Sequence, residues 1–153
     1  MSWRNSRSLF VCALANKYRG NETEAHRLED RAEELGFEGF GLTLDGPRIR
    51  LALTRGDLER VEHMVTGRSS SQAFFLGSQT ALLDGLAAIG DRKRVEEATA
   101  RLLEPGTYLE PFALRALGLV REDEELVEQA VGRFEKLGLA WHAEQTRKLK
   151  TQA

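Results

Sequence analysis

Three arginines, Arg19, Arg55 and Arg121, stand just before similar short turns in this 153-residue chain. A guanidinium binds a carboxylate or a phosphate in a two-pronged way. Three of them along one face would hold an anionic partner, although a cation in the last turn of a helix is also favoured by ~0.3–1 kcal/mol through the macrodipole alone. Ile89 occupies the corresponding place in the remaining turn and interrupts a continuous basic track. The other candidates for contact are aromatic. Phe74 and its neighbour Phe75 open a long apolar segment, and Trp141 is expected to pack on the preceding helix or to meet a partner.

Residues for bond-making chemistry are harder to assemble. His26, His63 and His142 have no His or Cys at metal-ligand spacing. Gly36, Gly39 and Gly41 lack the spacing of a dinucleotide fingerprint. Ser69, Ser70 and Ser71 have no nucleophile-elbow context. The acidic run Glu122-Asp-Glu-Glu125 sits at a helix start, where the dipole favours negative charge. The expectation is therefore a non-enzymatic chain without metal or cofactor.

Composition agrees with an ordinary folded protein. Hydrophobic residues make up 41%, charged residues 30%, and the formal net charge is -2. That balance argues against a nucleic-acid binder, which carries a basic excess. There is neither a membrane-length apolar run nor a signal-peptide core, so a cytoplasmic location is expected. The single cysteine, Cys12, lies in the apolar stretch Leu9 to Leu14 and reads as a buried small hydrophobe.

The elements that position these residues come from an internal repeat. Leu51-Ala-Leu-Thr-Arg-Gly-Asp57, Gly85-Leu-Ala-Ala-Ile-Gly-Asp91 and Leu117-Gly-Leu-Val-Arg-Glu-Asp123 are variants of one turn. Each leads into the same pair, Val61-Glu62, Val95-Glu96 and Val127-Glu128. Tyr18-Arg-Gly-Asn21 is an earlier copy, so the turns recur after 36, 34 and 32 residues. Around each, apolar residues follow a period of 3.6, as in Leu109, Phe112, Ala113, Ala116, Leu117 and Val120. Asp57, Asp91 and Asp123 are expected to cap the next helix, and the glycines before two of them to end the previous one. The pattern predicts helices near 8–19, 23–35, 47–55, 57–66, 72–89, 92–103, 108–121, 123–137 and 139–150. Residues 36–46 read as a loop or a frayed helix start, with Pro47 in the first turn of the helix that follows.

This spacing resembles tetratricopeptide repeats. Ala13, Gly20, Asn21, Ala25 and Ala32 match that family's small residues and turn, while Ile49, Leu83 and Arg115 replace a small residue elsewhere. The tail from Arg133 to Leu149 is similar to the C-terminal repeat region of bacterial LuxR-type ATP-binding regulators and class III nucleotide cyclases. The resemblance implies an all-α, right-handed solenoid of about four hairpins with a C-terminal capping helix, as a single domain over 1–153. It also implies a protein-interaction scaffold in a bacterial regulatory system, or a small-molecule-sensing domain with its ligand in the concave groove. The partner is expected to be a protein or peptide rather than nucleic acid or membrane. Leu9 and Phe10 begin the apolar pattern without a polar cap, so self-association as a homodimer is expected there.

Overall fold

Turn chemistry sets the architecture. At Asn21, Asp57, Asp91 and Asp123 the backbone N–H donates to the carbonyl five residues earlier, at 2.9, 3.1, 3.0 and 2.9 Å. The residue before each is left-handed: Gly20, Gly56 and Gly90 have φ of 79°, 69° and 72°, and Glu122 takes φ 55°. This is the Schellman closure, which satisfies orphan helix carbonyls and reverses the chain. The aspartates then act as expected. Asp57 accepts from the Arg60 N–H and Asp91 from the Arg94 N–H, both at 3.1 Å, and Asp123 accepts from the N–H groups of Glu125 and Leu126. A fifth turn closes the same way at Leu139, which donates to Phe134 at 2.8 Å.

A computed structural model describes residues 3–35, 42–66 and 76–152, with side chains over 6–35, 46–66 and 76–149. It is all-helical among the described residues. The elements are α1 Trp3–Tyr18, α2 Glu22–Glu34, α3 Leu42–Arg55, α4 Leu58–Val65, α5 Leu76–Ala88, α6 Arg92–Thr99, α7 Glu110–Arg121, α8 Glu124–Lys136 and α9 Ala140–Gln152. Each expected helix is present among the described residues; positions 72–75 of the expected fifth helix and 36–41 of the expected loop lie outside them. Three boundaries differ. Residues from Leu42 onward are helical, so Pro47 lies inside α3 rather than in its first turn. Helix α6 stops at Thr99, four residues short of the expectation, and the chain runs through turns and bends to Leu109. Helix α1 begins at Trp3, ahead of the apolar pattern.

The chain divides into two compact units, residues 1–81 and 82–153. In the first, α1 packs against α2 and α3, and α3 against α4. Its centre includes Phe10, Ala13, Ala32 and Leu51, all fully buried, with Leu9, Leu14 and Leu28 packed around them. In the second, α7 packs against α6 and α8, and α8 against α9. Helix α7 is buried from Glu110 to Gly118. Its Phe112 meets Phe134 of α8 edge-on, with ring centroids 4.9 Å apart. Helix α8 turns Val127, Ala130, Val131 and Phe134 inward, the stripe expected from its periodicity.

Candidate interaction surface

Two of the three repeated arginines are held in ion pairs between helices. Arg55 ends α3 and places Nη1 2.5 Å from Glu29 Oε2 on α2. Arg60 of α4 reaches the other oxygen of Glu29 at 3.0 Å and also pairs with Glu33. The Glu29 side chain is only 5% exposed, so two guanidinium partners offset the cost of desolvating it. Arg121 ends α7 and donates from Nε to Glu96 Oε1 of α6 at 3.0 Å, with Nη2 in ion-pair contact with the same oxygen at 2.9 Å. Arg92 approaches the same oxygen at 3.2 Å. The hydrogen bonds from Arg121 and then Arg92 hold the Glu96 carboxyl below its ordinary range. Arg19 differs. It is exposed, and its guanidinium is in no ion pair among the described residues.

A further arginine lies inside the second unit. Arg115, on buried α7, is 5% exposed and pairs with Asp84 at 2.6 Å. It donates to Thr146 Oγ1 of α9 at 3.1 Å. Its Cζ lies 5.2 Å from the Phe112 ring centroid and 5.1 Å from that of Phe134. The His142 ring stacks on Phe134 at 5.4 Å and meets Phe112 edge-on at 4.8 Å. In the repeat pattern position 115 belongs to a small residue. Here the guanidinium fills that volume and ties α7 to α5 and α9.

The aromatic candidates separate as well. Trp141 is 45% exposed and meets the His142 ring edge-on at 4.9 Å, and the His142 ring in turn stacks on Phe134 of α8. Phe74 lies outside the described residues, as does Phe75. Phe10 is fully buried in the core of the first unit, and Leu9 packs partly buried beside it.

The outward face of α1 is carried instead by Ser8, Val11, Cys12, Ala15 and Tyr18, all exposed, at i, i+3, i+4, i+7 and i+10. Arg19 continues that line by one residue. Cys12 is thus exposed, which corrects the expectation of burial. An apolar run that covers every side of a helix gave no means of choosing its inner face. Val11 and Tyr18 are 49% and 46% exposed. The stripe therefore offers small and apolar groups to another surface, with a cation at its end. Among the described residues no group of His, Cys, Asp and Glu could hold a metal ion. No described helix is long and apolar enough to cross a membrane. No family model, curated protein or solved structure matches the chain.

Proposed function

We propose that the chain is a non-enzymatic protein-interaction scaffold: a right-handed solenoid of tetratricopeptide-like hairpins, capped by α9, within a bacterial regulatory or signalling system. The observation that carries the scaffold reading is the outward stripe of α1. Exposed Val11, Cys12, Ala15 and Tyr18 form a contiguous apolar line on a regular helix, and such patches mark contact sites. The recurrence of one turn geometry at Asn21, Asp57, Asp91 and Asp123 supports the stacking of hairpins, since a lone hairpin cannot bury its apolar stripe. The regulatory setting rests on the likeness of the tail from Arg133 to Leu149.

A benzophenone amino acid in place of Val11 tests the interaction in the source cell. The expected product of irradiation is one discrete adduct with another protein, lost when Tyr18→Asp is added. A chain that forms no adduct under several growth conditions does not use this face. Small-angle scattering tests the solenoid: its radius of gyration should exceed the ~15 Å of a closed globule of this length. A value at or below that refutes the stacked arrangement.

A further inference from the structure

The repeat register says what covers the α1 stripe. Counted back from the turns at Asn21, Asp57 and Asp123, Arg19 corresponds to Arg55 and Arg121. Ala15 corresponds to Leu51 and Leu117, and Cys12 to Arg48 and Leu114. In α3 that face is occupied. Leu51 is fully buried in one cluster with Ala32 of α2, and Arg55 pairs with Glu29 of α2. In α7 it is occupied too. Leu117 and Leu114 are 4% and 9% exposed, and Arg121 pairs with Glu96 of α6, the helix just before it. Both times a glutamate on the second helix of the preceding hairpin meets the terminal arginine. The two glutamates lie about one turn apart along their helices, so the pairing tolerates a shift of one turn. On α1 the same face is exposed and Arg19 is unpaired among the described residues.

Resting on the interaction reading above, we infer that α1 docks an amphipathic helix of a partner protein, which lays an apolar stripe on Val11, Cys12 and Ala15 and sets a carboxylate against Arg19. The occupant takes the place of a preceding hairpin's second helix. Charge argues against a second copy docked through either terminal helix. Helix α1 carries Arg4, Arg7 and Lys17 and no acidic residue, so pairing two α1 helices brings no α1 carboxylate to Arg19. Helix α9 exposes Arg147 and Lys148, and its Glu144 is flanked by both, at 3.8 and 3.9 Å. A stripe ending in a lone cation is complementary to a helix with an acid at the matching turn.

The test uses the full chain as bait for a phage library of helix-forming peptides with one randomised face. Enriched peptides should carry apolar residues at i, i+3 or i+4, and i+7, together with one Asp or Glu. Arg19→Glu should weaken them about tenfold, and exchanging their acid for Lys should restore affinity to that variant. Val11→Asp should abolish binding, while Arg121→Ala, which alters the equivalent arginine elsewhere, should leave it unchanged. Both α1 substitutions are at exposed positions, and circular dichroism checks that the fold is kept. Binders that need Val11 but show no acid preference and ignore Arg19→Glu would overturn this inference and leave the interaction surface standing. A library yielding no binder sensitive to Val11→Asp would remove both. If sedimentation shows a dimer that Arg19→Glu dissociates, the occupant is a second copy and the partner-helix assignment fails.

Discussion

At the scale of single residues, arginine is the organising side chain of this protein, because its planar guanidinium satisfies a carboxylate and lies flat on an aromatic ring at once. Arg115 pairs with Asp84 and holds its Cζ 5.2 and 5.1 Å from the Phe112 and Phe134 ring centroids. Removing one member of such a buried pair strands the other's charge. Asp84→Ala is therefore expected to cost about 3–5 kcal/mol of unfolding free energy, read from urea titration. The double variant Asp84→Leu with Arg115→Met removes both charges and is expected to lose markedly less than Asp84→Ala alone. A double variant as unstable as the single one would show that the aromatic contacts, and not the ion pair, hold Arg115. Glu29 is buffered differently, since Arg55 and Arg60 approach separate oxygens. Arg55→Ala leaves Glu29 one partner, so its cost should fall below that of Asp84→Ala in the same assay.

At the scale of elements, the close approach of α7 and α8 is set by Gly118. A Cβ built there would lie 2.7 Å from Val127 Cγ2, 2.9 Å from the Val127 backbone nitrogen and 3.0 Å from the Asp123 carbonyl oxygen. Two of those atoms are backbone, so the hairpin itself would have to open. Gly118→Ala should lower the melting temperature, at a cost of about 1–3 kcal/mol. The adjacent turn predicts the opposite sign. Glu122 takes the left-handed conformation that glycine fills at Gly20, Gly56 and Gly90. Glu122→Gly should stabilise the α7–α8 turn by up to about 1 kcal/mol, and a lower melting temperature would show that the Glu122 side chain contributes more than its backbone strain costs. These turns were also the most legible part of the sequence. Caps and left-handed residues are decided within five or six positions, so Asp57, Asp91 and Asp123 announced their role without tertiary context. The end of α6 was less legible, because Leu102 and Leu103 extend its apolar period although the backbone turns after Thr99. The inner face of α1 was not legible. Leu9, Phe10, Val11, Cys12, Ala13 and Leu14 are chemically alike, and only packing on α2 and α3 separates Phe10 and Ala13 from Val11 and Cys12. The repeated arginines were visible as a series, but their partners Glu29 and Glu96 lie 26 and 25 positions away, beyond the reach of a local pattern.

At the scale of the whole molecule, the formal net charge of -2 is made of 22 basic and 24 acidic side chains, many of them paired within a hairpin or between neighbouring helices. That arrangement fixes the response to acid. The carboxyls of Glu22, Glu24 and Glu96 are held below their ordinary value of 4.5, first by hydrogen bonds from Lys17, Arg27 and Arg121 respectively. A carboxyl lowered in the folded state binds its proton less readily there than in the unfolded chain. Its stabilising contribution is therefore complete above the unfolded value and is lost as pH falls through the lowered one. The melting temperature is expected to hold at neutral pH and to fall as the pH drops below about 4.5. Salt should narrow the difference between neutral and acid stability, because these three groups lie at the surface where ions screen them. The part due to Glu96 can be isolated by carbon-detected titration of its carboxyl. In Arg121→Ala that carboxyl should titrate at higher pH than in the native chain while staying below its ordinary value, since Arg92 still approaches the same oxygen at 3.2 Å. A Glu96 titration unmoved by Arg121→Ala would mean that the α6–α7 ion pair does not persist in solution. The assignment of the equivalent contact at Arg19 would then lose one of the two pairs on which its register depends.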